Sequence, residues 1–567
     1  MMTNNVPTEA EYIVVGGGLA GCVLASRLKQ GNPSASVVLI EAGKDPTGHP
    51  LTSSPLACFA AHHSDLDYAY TTVPQVHLGG RKCYAAAAKC LSGGSAINYG
   101  TWTRGPAADF DHWAESVNDA GWSYQSLLQY FKKTEHLKSS HSMNSRQHGS
   151  DGPVHVVSVS DSDSKRQYPL RKPLEGAWSE IGVRRIEDGN SGAPEGLAEL
   201  FENWRDGQRQ CASQSYDLSG VVVLCSTIVH HIVIQELNGE KVASGVKLTD
   251  GHVISASREV IVSCGAYRTP QVLMLSGIGN QEDLAPHGIS SIVECSDVGR
   301  NLHDHLSVCF WWRLRHPEGG LALGTPSWSD PAYSKGLPCD WIAMEQVPKE
   351  PLGKALARDG EIVRDHPLLE PGQCHLETLV PYVPAGAQIA NVRIPIDGTY
   401  ITTAVLGMKP TSRGTIKLSS DDPLTYPEID PNYYATEADR VTIRYGVRQA
   451  LRLLNETESG RSIVEGEYPP VGFPILTLDC TDDEIDARVK RIGNTFYHAG
   501  GSAAMGKVVD SQLQVLGVKG LRVADASVIP IPIAAHYQVI VYAIAEKAAD
   551  MILQSSKKTS SQCQEGK

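Results

Sequence analysis

The segment Glu11-Tyr-Ile-Val-Val-Gly16-Gly-Gly18-Leu-Ala-Gly21 constrains the fold of this chain more than any other stretch. Tyr12 to Val15 is a short apolar run of the kind that forms a buried parallel strand. Gly-x-Gly-x-x-Gly then turns the chain into a helix expected over Cys22 to Lys29. A second apolar strand, Val37 to Ile40, ends at Glu41, twenty residues after Gly21. The three glycines do different things. Gly16 permits the tight turn, Gly18 lets the backbone approach a pyrophosphate, and Gly21 lets helix and strand pack closely. The helix start offers unpaired N–H groups and a positive dipole end to phosphates. Glu41 is placed to accept hydrogen bonds from a ribose. Strand, turn, helix, strand and acid in this order predict a dinucleotide site, with NAD and FAD both open.

At 567 residues the chain is too long for one simple core, so two or three domains are expected. A net charge of −13 and scattered basic residues argue against nucleic acid or an anionic membrane as partner. No apolar stretch approaches the length of a membrane span. The N-terminus shows no basic and apolar signal pattern, so an intracellular, cytoplasmic location is expected. Thirteen cysteines, with no Cys-x-x-Cys and no metal-like grouping with histidine, read as reduced core thiols and no metal site.

Along the chain the texture changes. Residues 137–163 are polar and loop-like, with a strand expected over Val154 to Val159. Strand patterning resumes at Gly220 to Gln235, Ala243 to Asp250, His252 to Ser255 and from Glu259, and a helix is expected over Pro270 to Ser276. The middle is rich in Pro, Trp and Gly, with strands at Thr399 to Lys409 and Gly414 to Ser419 and a helix at Ala438 to Asn455. Compact α/β texture returns with a strand at Leu521. A final helix follows, with apolar positions 539, 542, 545, 548 and 552. The expected class is α/β: a Rossmann-like dinucleotide-binding domain with an inserted α+β substrate-binding domain of antiparallel sheet plus helices. The expected division assigns 1–157, 218–308 and 481–555 to the nucleotide domain and 158–217 and 309–480 to the substrate domain. Residues 556–567 are expected to be a disordered tail.

Four further segments sharpen this. They are Ala88-Lys-Cys-Leu-Ser92-Gly-Gly-Ser95-Ala-Ile-Asn98-Tyr-Gly-Thr-Trp102, Gly265-Ala-Tyr-Arg-Thr-Pro270 through Gly279, and Val298-Gly-Arg-Asn301-Leu-His-Asp304-His305. The last is His498-Ala-Gly-Gly-Ser-Ala-Ala-Met505-Gly506, with Val523-Ala-Asp525-Ala-Ser527 and Ala535-His536-Tyr-Gln-Val behind it. Together they resemble the glucose–methanol–choline (GMC) family of FAD-dependent oxidoreductases, in the family's order and over both ends and the middle of the chain.

The resemblance implies FAD in an extended form, its ADP half on Gly16, Gly18, Leu19, Ala20, Gly21, Glu41 and Ala42. Ser92, Gly93, Ser95, Asn98, Tyr99, Gly100 and Thr101 would lie along the isoalloxazine, and Val229 against the adenine. Asp525 and Ala526 would meet the ribityl–pyrophosphate part, with His536, Tyr537, Gln538 and Val539 beside the flavin. Catalysis falls to His498 as general base, a neutral imidazole suiting the hydroxyl proton of an alcohol at neutral pH while hydride passes to flavin N5. His536 would hold the substrate oxygen. The helix after it would direct its positive end at the flavin edge that becomes negative on reduction. His303 and His305 read as structural.

Three departures from the family pattern stand out. Ser92 replaces the first glycine of a pair, Tyr537 replaces a proline, and no histidine or cysteine lies within Ser95 to Asn98 to link the flavin. Non-covalent FAD is therefore expected. The activity expected is oxidation of a small or medium alcohol, such as an aryl alcohol or a secondary-metabolite hydroxyl, in a monomer or homodimer. Oxygen or another acceptor would reoxidise the flavin. The alternative is a non-redox lyase of the hydroxynitrile type. Trp311, Trp312, Trp328, Trp341 and Tyr382 suit either an apolar pocket wall or a place as core or surface aromatics.

Overall fold

The computed structural model describes residues 6–139 and 146–565, so 140–145 of the expected loop lie outside the described residues. Tyr12, Ile13, Val14 and Val15 are almost wholly buried, as a strand covered on both faces must be. Their strand, Glu9–Val15, pairs in parallel with Val37–Ile40 on one side and Val253–Val262 on the other. Val222–Leu224 extends the parallel edge beyond Val37–Ile40, and Leu521–Val523 pairs in parallel with Val260 to Val262. The other end of the Val253–Val262 strand turns antiparallel through Glu240–Leu248 to Val229–Leu237, completing a seven-stranded sheet.

A second seven-stranded sheet is antiparallel throughout. Its order is Val464–Tyr468, Leu306–Leu314, Tyr400–Gly407, Leu376–Leu379, Trp341–Glu345, Gly196–Glu199, with Asn494–Thr495 added beside Leu306 and Ser307. The helix Glu437–Leu451 packs behind it and runs into a π-helical turn, Arg452–Glu456, so the expected single helix to Asn455 changes to π geometry in its last turn.

The final helix lies on the N-terminal one, Leu19–Gly31. A Cβ on Gly31 would come within 2.3 Å of Leu553, so that glycine permits the helices' close approach. Glu546, fully buried, receives Arg27 at 2.7 Å, Lys133 at 3.0 Å and the Tyr216 hydroxyl at 3.0 Å. Arg27 and Lys133 keep part of their side chains in solvent, so removing this carboxylate would deprive chiefly the buried Tyr216 hydroxyl of its partner.

The structure bears on three expectations. The boundary at 308/309 falls inside the strand Leu306–Leu314, and Asn494–Thr495 belongs to the second sheet, because the chain crosses between sheets through continuous strands. The expected disordered tail is helical to Glu565: Ser, Lys and Gln tolerate a helix already nucleated by the buried turns before them. The tryptophans Trp311, Trp312, Trp328 and Trp341, with Tyr382, fill the core around the second sheet and do not face the cavity described below.

Candidate active site

One continuous cavity of about 450 Å³ runs from the N-terminal glycine turn to the C-terminal histidines. At its first end Gly16 holds φ +100°, and a Cβ there would lie 2.5 Å from the Ser263 carbonyl oxygen. Gly21 is pressed onto Gly16, a Cβ falling 1.9 Å from its carbonyl oxygen. The helix Leu19–Gly31 begins at Gly18 with no side-chain cap for its first N–H groups, and Gly18, Leu19 and Ala20 line the cavity. Glu41 lines the same end. Its carboxylate accepts from Gly17 N–H at 2.8 Å and Gly43 N–H at 2.7 Å, while burial raises its pKa. An uncapped helix start, a side-chain-free turn and an acid beside them fit the diphosphate and ribose of a dinucleotide.

The second glycine loop closes against the first. Gly93 has φ +52°, and a Cβ on it would sit 2.7 Å from the Gly18 Cα. Ser92 holds φ +79°, a left-handed backbone that serine rarely adopts. Its hydroxyl lies 2.7 Å from the Ser213 hydroxyl and accepts from Ser213 N–H at 3.0 Å, which offsets the strain. Asn98 lines the cavity under tight control. Arg209 donates to its side-chain oxygen at 2.9 Å and its carbonyl at 2.6 Å, and Asn98 Nδ2 donates to Gln538 Oε1 at 3.1 Å. Gln538, the first residue of the last helix, donates in turn to the Thr101 carbonyl at 2.6 Å.

Most of the expected residues share this cavity: Leu19, Ala20, Ala42, Tyr99, Gly100, Val229 and Ala526 all reach its wall. Asp525 does too, but its oxygens already accept from Ser527, Thr269 and the Gly265 N–H, so it braces the helix Gly265–Leu275. Gly21, Ser92, Ser95 and Val539 do not reach the cavity. Gly21 serves packing, Ser92 and Ser95 tie their loop to Ser213 and Ala212, and Val539 is buried in the core.

At the other end His498 and His536 face the cavity with ring centroids 4.7 Å apart. His498 follows Tyr497, whose φ of +67° stores strain beside the site. The turn is held by Tyr497 N–H to Thr495 Oγ1 at 2.7 Å and His498 N–H to Asp304 at 2.9 Å. Burial first, then the neighbouring His536 and His305, press the His498 pKa well below its ordinary range. Its Nδ1 lies 2.9 Å from Nδ1 of His305, so His305 contacts the site histidine directly, beyond the structural role expected of it. His303 does remain in the frame, bonded to the Ile529 carbonyl and the Tyr537 hydroxyl. Tyr537 stacks on His498 at 5.6 Å, occupying space beneath that ring.

His536 Nε2 is 2.7 Å from Oε1 of Glu377, a fully buried carboxylate on the second sheet. The sequence carried one weak sign of it: a charge within the apolar strand Leu376–Leu379. Arg209 carried none. Phe59, His62, Phe496 and Tyr497 add aromatic rings to the wall.

A mixed, largely parallel sheet carrying a glycine turn, joined to an antiparallel sheet with two histidines over the same cavity, defines a dinucleotide-dependent oxidoreductase. The chain belongs to the GMC oxidoreductase family, matching its N-terminal part over residues 10–307 and its C-terminal part over 410–545. It is 43% identical to the GMC-type oxidoreductase acuG of Aspergillus aculeatus over 96% of this chain and 99% of that one. It is 31% identical to an alcohol dehydrogenase [acceptor] of Pseudomonas putida over 96% and 95%. Its structure superposes with a TM-score of 0.87, at 30% identity, on a formate oxidase of Aspergillus oryzae RIB40 studied for FAD modification, covering 97% of this chain and 99% of that one.

Proposed function

We propose that this protein oxidises an alcohol to an aldehyde or ketone, with FAD held non-covalently in the cavity. The observation that carries this is one cavity joining the bare helix start at Gly18 to the paired rings of His498 and His536. When bound, FAD would supply the hydride acceptor, which oxygen or another acceptor then reoxidises. Gly16, Gly18 and the helix after them would hold its diphosphate, Glu41 the ribose, and the Gly93–Asn98 loop the ring system.

The chain's own residues supply the proton chemistry. Desolvated His498 stays neutral and takes the hydroxyl proton. His536, its Nε2 fixed on Glu377, holds the substrate oxygen. The N-terminus of the helix from Gln538 brings a positive dipole end to the same wall. The apolar and aromatic lining keeps water from the reacting carbon. The alcohol dehydrogenase among the relatives agrees with this reading. The nucleotide domain is assigned the parallel sheet and both chain ends, and the substrate domain the antiparallel sheet. Anaerobic addition of a panel of alcohols tests the reading: bleaching of a bound yellow flavin supports it, and an unreduced flavin with every alcohol contradicts it.

A further inference from the structure

Away from His498, beyond the Phe496 and Tyr497 rings, the cavity wall is organised by one carboxylate. Asp67 accepts from Ala69 N–H at 2.9 Å and Ala87 N–H at 3.1 Å on one oxygen. On the other it accepts from His63 N–H at 2.9 Å and from the Tyr84 hydroxyl. Three backbone N–H groups already donate to its two oxygens, so Asp67 serves as the acceptor. Tyr84 must then donate to Asp67, and its oxygen accepts from His62 Nδ1, 3.1 Å away. Burial lowers the His62 pKa to about 4, so at neutral pH the ring has a single proton, on Nδ1. His62 Nε2 is therefore an acceptor, and the Tyr99 hydroxyl 2.6 Å from it is the donor. The chain of bonds has one direction, ending at a cavity residue. Tyr99 has committed its only proton, so its oxygen can only accept, from the neighbouring Tyr497 side chain or from a ligand in the cavity.

We infer that Tyr99 is a specificity-determining acceptor, selecting alcohols that carry a second hydrogen-bond donor, a phenol or further hydroxyl, remote from the carbon oxidised. This rests on the cavity being the alcohol site. A ligand with the donor gives the Tyr99 oxygen a partner that a ligand lacking it does not supply, which is the basis of discrimination.

The test is calorimetric titration of the purified protein, with its cofactor, by three ketones that carry no oxidisable alcohol: 4-hydroxy-, 4-fluoro- and 4-methoxyacetophenone. The hydroxy compound is expected to bind about tenfold more tightly than the fluoro compound. Tyr99→Phe should abolish that preference. His62→Phe keeps the Tyr99 hydroxyl but frees its proton, so the acceptor-bearing methoxy compound should gain affinity relative to the wild type, an effect a merely structural role would not produce. Equal binding of the hydroxy and fluoro compounds, binding by neither, or a preference that survives Tyr99→Phe overturns the inference. Failure of every alcohol to reduce the flavin would instead sink the activity and leave this binding difference standing.

Discussion

His536 Nε2 and Glu377 Oε1 lie 2.7 Å apart, although 159 residues separate them in the chain. The bond joins the wall built on the last helix to the second sheet. Oε2 of Glu377 has no hydrogen-bond partner among the described residues, so His536 is the group this carboxylate serves. Replacing Glu377 with Gln should keep the ring near its place but remove a charge-assisted bond worth about 1.5–3 kcal/mol. Steady-state kinetics should show kcat/KM reduced about tenfold to a hundredfold with flavin content unchanged. Glu377→Leu should be worse than Glu377→Gln.

The buried state of His498 sets a pH dependence. Desolvation disfavours imidazolium, so the folded pKa is depressed and the basic, neutral form persists as pH falls. The rate of flavin reduction should therefore hold through the pH near 6.5 at which a free imidazole titrates, and decline only in more acid solution. A rate that halves near pH 6.5 would show an unperturbed base.

Gly93 tests the closure of the two glycine loops. An added methyl would meet the Gly18 Cα at 2.7 Å with the backbone at φ +52°. Gly93→Ala should cost about 1–2 kcal/mol from the left-handed backbone alone, and more from the clash. The ratio of visible to ultraviolet absorbance should fall as FAD is lost, along with Tm.

Ser92 tests a balance. Glycine relieves the positive φ but removes the bond to Ser213, so Ser92→Gly should leave Tm within a few degrees of the wild type. Ser92→Ala keeps the strain and loses the bond, and should destabilise by about 1–2 kcal/mol in chemical denaturation.

The parts legible in the sequence were those encoded locally. The turn from Gly16 to Gly21 reads directly because only glycine meets both its positive φ and its close contacts. The strand Val37–Ile40 and the buried face of the last helix read from unbroken or periodic apolar residues. Glu377 and His305 did not read, because each matters only through a partner more than a hundred residues away. The tryptophans stayed open for the same reason: size and apolarity suit a core as well as a pocket, and only the sheet decides which. Ser92 departs from the family's glycine, and its compensation lies in Ser213, 121 residues along the chain.

The most direct test of the central claim is anaerobic stopped-flow reduction of the bound flavin by an alcohol substrate, in wild type and His498→Ala. Flavin content should be equal, since His498 is placed as the base at the histidine end of the cavity. The rate of bleaching should fall by about 10²–10⁴-fold in the variant. A variant that keeps its flavin and bleaches at the wild-type rate would contradict the assignment of His498 as the base.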